Sequence, residues 1–128
     1  KRLAHPRLHS PVFGLMSEYI VGLKAFAETL KTEDKALAAS GTGNAWLDLS
    51  KFQLAGVELV DKYRYRIRIK GRYPQFAYWL AMNFFAPVPW EAEKFFHQEG
   101  MAEKNFTLDW WPVGTGAYMF VDFKPGDT

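Results

Sequence analysis

Three histidines, His5, His9 and His97, offer the best metal-binding chemistry in this chain, which has no cysteine. His5 and His9 are four residues apart, a spacing that places two imidazole rings on one face of a helix. Pro6 lies between them and disrupts such a helix. No acidic side chain nearby offers a third ligand. The sequence therefore predicts no metal site.

Paired carboxylates are the usual source of general acid–base chemistry, and they occur at Glu33/Asp34 and Glu91/Glu93. Both pairs fall in the first turn of a predicted helix, where acidic side chains interact favourably with the helix dipole. None of the serines lies in a nucleophile motif, and the lack of cysteine excludes a thiol nucleophile. We therefore expect no catalytic residue, no cofactor and no enzyme activity.

Two short glycine segments, Gly41-Thr42-Gly43 and Gly114-Thr115-Gly116, superficially resemble phosphate-binding loops. Neither has the full glycine spacing between a strand and a helix, nor the lysine that follows in a phosphate-binding loop. We expect neither segment to hold a phosphate.

Four basic residues at alternate positions, Arg64, Arg66, Arg68 and Lys70, form the clearest charged pattern. Alternation places all four on one face of a strand. Such a face either grips an anionic partner or is the solvated side of an exposed hairpin, where charge discourages edge-to-edge aggregation. The net charge of the whole chain is only +2, which does not by itself indicate nucleic acid or an anionic membrane as the partner.

The strand that carries these cations belongs to a predicted β-hairpin over residues 56–69, with its turn at Asp61-Lys62. Tyr63, Tyr65, Ile67 and Ile69 alternate with the basic residues, the pattern of a half-buried antiparallel strand. We expect this apolar face to contact a helix over residues 11–30, with Tyr65 and Ile67 packed against Leu23 and Phe26.

Apolar periodicity, caps and breakers predict the other elements. They are the helix over 11–30 after Ser10-Pro11, a short helix over 33–39 capped by Thr32, a helix from Tyr73-Pro74 to about Asn83, a helix from Pro89-Trp90 to before Gly100, and a buried strand over 117–123. The 128 residues therefore predict one α+β domain, a small antiparallel sheet built on a β-hairpin and packed against several α-helices. No apolar run is long enough to span a membrane.

Three segments in a fixed order resemble the peptide-type solute-binding proteins of ABC importers, the oligopeptide, dipeptide and nickel class. They are the Ser10-Pro11 pair before a helix, GVELVDKY at 56–63 followed by RIRI at 66–69, and PVGTGAY at 112–118. YPQF at 73–76 and PVPWEA at 87–92 fit the same pattern. The resemblance covers nearly the whole chain.

The resemblance implies a fragment of a two-lobed receptor that captures peptides or similar small solutes for import. The chain is similar to the subdomain inserted in the first lobe, with residues 112–128 leading back to the main lobe. The implied partners are a peptide or small-solute ligand and an ABC permease in the membrane, with no nucleic acid. The implied location is periplasmic or extracellular, with a lipid anchor in some full-length proteins. The isolated piece is expected to self-associate.

In oligopeptide binders of this class, the inserted subdomain contributes a side chain just after the serine–proline pair. Val12 occupies that position here, with Phe13 beside it, so the resemblance implies that both face the ligand cleft. The alternative is that they pack the first turn of the helix. The competing function is a basic and aromatic module that binds an anionic polymer through Arg64, Arg66 and Arg68.

Overall fold

The computed structural model describes residues 1–40, 46–101, 103–118 and 121. Within them the chain forms four α-helices and a two-stranded antiparallel sheet, which confirms the α+β class. The elements are α1 (Phe13–Tyr19), α2 (Leu23–Ala39), β1 (Val57–Asp61), β2 (Arg64–Ile67), α3 (Phe76–Leu80) and α4 (Trp90–Phe96), with 3-10 turns at Arg2–Ala4, Leu49–Lys51 and Asn83–Phe85. The chain divides into two compact units, Lys1–Gly43 with Leu47–Ala86, and Asn44–Trp46 with Pro87–Thr128.

The helix predicted over residues 11–30 is interrupted after Tyr19, so this prediction was wrong in its continuity. Ile20 is extended, and Gly22 adopts the left-handed conformation with φ 76° before α2 begins. α2 then runs past Thr32, which does not cap a separate helix. The Thr32 hydroxyl instead donates to the carbonyl of Glu28 at 3.1 Å. The apolar periodicity continues across the break, which is why the pattern alone did not locate it.

Backbone pairing with the hairpin strand explains the break. The amide of Val21 donates to the carbonyl of Arg68 at 3.1 Å, and the amide of Lys70 donates to the carbonyl of Tyr19 at 2.7 Å. These two bonds form an isolated antiparallel bridge between Ile20 and Ile69. Because Ile20 is extended, the backbone of residues 19–21 can make these bonds. A continuous helix would use the same groups internally.

Gly56 allows β1 to begin directly beside this bridge. A Cβ at position 56 would lie 2.3 Å from the carbonyl oxygen of Val21 and 3.0 Å from its amide nitrogen. The Gly56 carbonyl also accepts a hydrogen bond of 2.8 Å from the amide of Arg68. Residues 19–21 and β1 therefore meet at Gly56, a contact that any larger residue would disturb.

The β-hairpin is confirmed, with Val57 opposite Ile67 and Glu58 opposite Arg66, and with an irregularity between Leu59 and Asp61. Its base contacts the core through Val57 and Ile67. Its outer part does not, since 63% of Tyr65 is exposed. The prediction that Tyr65 packs against Leu23 and Phe26 was therefore wrong. Alternation identified the correct face, but only its base reaches the helices.

The core of the first unit lies along α1 and α2. Met16, Leu23 and Leu30 are fully buried, and Leu47 and Leu54 complete the core from the segment before β1. The remaining buried apolar side chains are Ala4, Val12, Ile20, Phe26 and Ala27. An ion pair of 2.7 Å between Arg7 and Asp34 connects the N-terminal segment to α2.

The second unit contains α4 and a set of aromatic contacts. Trp90 stacks on Trp46 with ring centroids 5.9 Å apart, and Gly100 adopts a left-handed conformation three residues beyond the C-cap. Among its described residues, none is buried. The strand predicted over 117–123 falls largely outside the described residues; its described positions, Ala117, Tyr118 and Val121, are exposed.

Replacement of Gly56 by alanine is expected to destabilise the chain by about 2–3 kcal/mol, the cost of forcing atoms into a packed site. The added methyl group would clash with the Val21 carbonyl. Urea denaturation followed by circular dichroism measures the change. Gly14→Ala, in α1, is the matched control, because a Cβ added at position 14 would have no atom within 4 Å. It should be neutral or stabilising by up to about 1 kcal/mol. Equal changes in the free energy of unfolding for the two variants would contradict the close approach of Gly56 to the Val21 backbone.

Leu23→Ala is expected to lower the free energy of unfolding by about 2–5 kcal/mol, because it leaves a cavity among fully buried side chains. Tyr65→Ala should change it by less than about 0.5 kcal/mol, as is usual for a surface position. The same denaturation experiment measures both variants. A large loss for Tyr65→Ala would mean that the outer hairpin packs against something within the chain.

Candidate functional site

The two predicted ligand-contacting residues lie at the start of α1 in different environments. Val12 is 6% exposed and belongs, together with Met16, to the hydrophobic core of the first unit. Phe13 is half-buried and packs against the same core. The burial of Val12 agrees with the alternative prediction that it packs the first turn of the helix. Phe13 retains accessible surface with which to contact a ligand.

The basic face of β2 is exposed and internally ion-paired. A single carboxylate oxygen, Glu58 Oε2, accepts from Arg66 at 3.1 Å and from Arg68 at 3.0 Å. Arg64 donates to Asp61 at 2.6 Å. The three arginine side chains are more than half exposed, and ion pairs at such positions contribute little to stability. The hairpin thus has more cationic groups than carboxylates to neutralise them.

Asp61 forms the turn that joins the two strands. Its Oδ1 accepts from the backbone amide of Tyr63 at 2.9 Å, and its Oδ2 accepts from Arg64. The Tyr63 amide and then the Arg64 guanidinium stabilise the carboxylate and hold the pKa of Asp61 below its usual range. The turn predicted at Asp61-Lys62 thus lies one residue later, at Lys62-Tyr63, and the Asp61 side chain stabilises it from the end of β1.

The ion pair between Lys24 and Glu18 bridges the break between α1 and α2. Lys24 in α2 donates to Glu18 in α1, and this hydrogen bond and the charge of Lys24 hold the pKa of Glu18 below its usual range. Lys70 on the hairpin strand adds a smaller electrostatic effect in the same direction. Both groups are exposed, so their pair orders the surface around the break and contributes little to stability.

Two aromatic clusters were not predicted. In the first unit, Tyr19 stacks on Tyr73 at 4.1 Å between centroids, and Trp79 donates its indole N–H to the Tyr73 hydroxyl at 2.8 Å. In the second unit, Lys94 lies 5.8 Å from the ring centroid of Trp46, which stacks on Trp90. The Tyr19–Tyr73 stack and the contacts of Trp46 join residues more than forty positions apart, so no local pattern could reveal them.

The remaining candidate groups do not converge. His5 is buried, and its Nδ1 accepts a hydrogen bond of 3.2 Å from the amide of Arg7, whereas His9 is exposed. Asp34 pairs with Arg7. Within the described ranges, no cluster of three histidine, cysteine, aspartate or glutamate side chains is placed to hold a metal ion.

Acidification is expected to weaken the hairpin turn through Asp61. Because the folded-state pKa of Asp61 is lowered, its contribution is present above the pKa of about 3.9 in unfolded peptides. It is lost as the pH falls through the lower folded value. An NMR titration of the Asp61 carboxyl carbon should give a midpoint below the ordinary range. In Arg64→Gln the midpoint should rise but remain low, because the Tyr63 amide still donates. An ordinary midpoint in the unmodified chain would contradict this geometry.

Comparison with known proteins leaves the family of this chain open. No protein-family model, no curated protein and no solved structure matches it. Among the described residues, no helix has the length and apolar character needed to cross a membrane.

Proposed function

We propose that this chain is part of a substrate-binding receptor that captures peptides or similar small solutes for import by an ABC transporter. In this proposal the chain is the inserted subdomain of the first lobe, and residues 112–128 lead back to the main lobe. The resemblance of GVELVDKY, RIRI and PVGTGAY, in that order, supports the assignment. The receptor acts outside the cytoplasmic membrane, free in the periplasm or lipid-anchored, and hands its ligand to a permease.

The observation that carries the proposal is the exposure of apolar side chains in residues 110–118 and at Val121. Trp110 is 46%, Trp111 47%, Tyr118 98% and Val121 78% exposed. Large exposed apolar patches on a folded protein usually mark a surface that another domain or protein covers. A main lobe to which this segment returns would bury these side chains.

In this proposal the first unit positions α1 and the ligand contact that α1 provides. Backbone hydrogen bonds around Ile20 and Ile69 join the end of α1 to the hairpin. Phe13, at the start of α1 and half-buried, is then the better placed of the two proposed ligand contacts. Val12 would act by fixing the position of Phe13. No cofactor and no catalytic step are involved.

The flanking gene sequence tests the proposal directly. A receptor requires a reading frame that continues in both directions with a second lobe. The full-length product should then bind peptides, detected as a change in tryptophan fluorescence, and Phe13→Ala should weaken binding several-fold, the effect of a lost aromatic contact. Leu15→Ala, on the same helix and also partly exposed, is the matched control and should bind normally. A reading frame that encodes little beyond these residues would overturn the proposal.

The second candidate function is binding of an anionic polymer by the basic hairpin. It is favoured by the concentration of charge, because residues 57–72 carry six basic and two acidic side chains, whereas the rest of the chain carries ten basic and twelve acidic. The ion pairs with Glu58 and Asp61 reduce the charge available. Such a module should bind nucleic acid with an affinity that falls steeply with salt. The receptor proposal expects no such binding.

The isolated chain is expected to self-associate through residues 118–123, of which the described positions Tyr118 and Val121 are exposed. Sedimentation velocity at several concentrations measures this association. Tyr118→Ser should reduce it, because Tyr118 is 98% exposed and contributes nothing to the described core. Tyr78→Ser, also on an exposed tyrosine, is the matched control. A chain that remains monomeric at all concentrations, with residues 110–128 strongly protected from hydrogen exchange, would show that this segment finds its partners internally.

A further inference from the structure

The outer edge of β2 carries backbone groups for which the described residues provide no hydrogen-bonding partner. The Arg68 amide donates to the carbonyl of Gly56 and the Arg68 carbonyl accepts from the amide of Val21, so both backbone groups point to the edge that β1 and residues 19–21 occupy. Because these groups alternate in direction along an antiparallel strand, those of Tyr65, Ile67 and Ile69 point to the opposite edge. In the part of the chain that the structure describes, no strand pairs with that edge.

Along this edge of β2, the two faces of the sheet carry different side chains. Arg64, Arg66 and Arg68 lie on one face and are exposed, while Tyr65 and Ile67 lie on the other. Ile67 reaches the core, and Tyr65 is 63% exposed beside Leu59, its cross-strand partner. A strand added to this edge would therefore meet cations on one face and an apolar row on the other.

The cations of this face have capacity for further anionic partners. One oxygen of Glu58 serves both Arg66 and Arg68, although each guanidinium carries five N–H donors. The segment 57–72 has a net charge of +4, whereas the rest of the chain has a net charge of −2. A carboxylate on a neighbouring strand would make charge-assisted hydrogen bonds to this excess of donors.

We propose that β2 accepts, as a third antiparallel strand, an extended segment of a partner protein in which acidic and apolar residues alternate. Addition of a strand to an exposed sheet edge is a known mode of peptide recognition, in which backbone bonds give affinity and alternate side chains give specificity. The proposal does not depend on the receptor function. A second copy of β2 is a poor occupant, because pairing β2 with itself brings arginine next to arginine.

The geometry specifies which backbone amides of the partner bond to β2. At the outer edge Tyr65, Ile67 and Ile69 occupy the hydrogen-bonded positions of an antiparallel pair. The partner residues opposite them share their face of the sheet, so these are the apolar residues of the segment. The acidic residues lie opposite the arginines, with their own amides directed away from β2.

Synthetic peptides test this geometry on the full 128-residue chain. The probe is a nine-residue peptide of alternating glutamate and valine with blocked termini and a fluorescent label, followed by fluorescence anisotropy. N-methylation of the valine amides should lower affinity at least about tenfold. N-methylation of the glutamate amides should leave it within about twofold. Equal binding of the two methylated peptides would overturn the proposal, because it would show attraction without strand pairing.

Variants of the chain test the role of charge. Arg66→Gln combined with Arg68→Gln should weaken binding of the unmethylated peptide by roughly tenfold, the effect of two cross-strand ion pairs. Lys31→Gln combined with Lys35→Gln, on exposed positions of α2, removes the same charge elsewhere and should have little effect. Equal weakening by both double variants would overturn the proposal.

Hydrogen exchange provides a readout that does not rely on affinity. In the presence of the peptide, the amides of Tyr65 and Ile67 should exchange about tenfold more slowly, because they become donors to the added strand. The amide of Arg68 already donates to Gly56 and should change little. Protection absent from Tyr65 and Ile67, or binding of single-stranded nucleic acid in place of the peptide, would overturn the proposal.

Discussion

The antiparallel bridge between Ile20 and Ile69 is the interaction on which the arrangement of the first unit depends. It takes Ile20 out of the helical conformation and pairs residues 19–21 with the segment that carries Arg68 and Lys70. Left-handed Gly22 then allows the chain to re-enter a helix. Because Gly56 is small enough to contact the Val21 backbone, β1 begins at the same point. A single junction therefore sets the positions of α1, α2 and both strands.

Anchoring at one end gives the hairpin two parts with different properties. Val57 and Ile67, next to the junction, pack against the core, whereas Leu59 and Tyr65 extend beyond it. The turn is ordered by Asp61, whose carboxylate binds the Tyr63 amide and Arg64. The outer part therefore keeps a defined geometry through local hydrogen bonds and the β-ladder, although it buries little apolar surface. Among the described residues no strand pairs with its outer edge.

The two units differ in how their apolar side chains are used. In the first, fully buried Met16, Leu23 and Leu30 form a conventional core along two helices. In the described part of the second, aromatic residues make pairwise contacts, such as Trp46 with Trp90 and Phe106 with Trp111, and remain partly exposed. The hydrophobic effect scales with the apolar area removed from water, so the first unit has the stronger source of stability. Among the described residues of the second unit, Trp110, Trp111 and Tyr118 remain exposed.

The sequence by itself determined the elements whose signals are local. The period-two pattern of residues 63–69 located the hairpin and its two faces, and Pro89-Trp90 located the start of α4. The turn predicted at Asp61-Lys62 is one residue off, because Asp61 ends β1 and the turn lies at Lys62-Tyr63. It also identified the basic face of β2. These features depend on side chains a few residues apart, so the chain does not need to fold before they can be recognised.

Only the tertiary structure decided the features that depend on distant backbone groups. The break after Tyr19 arises from hydrogen bonds to residues nearly fifty positions later, and the apolar pattern of α1 and α2 continues across it. Burial of Val12 and exposure of Tyr65 follow from where that junction places the hairpin against the helices. The pattern fixes which face of an element is apolar, but how far that face extends over the core depends on where the element is anchored.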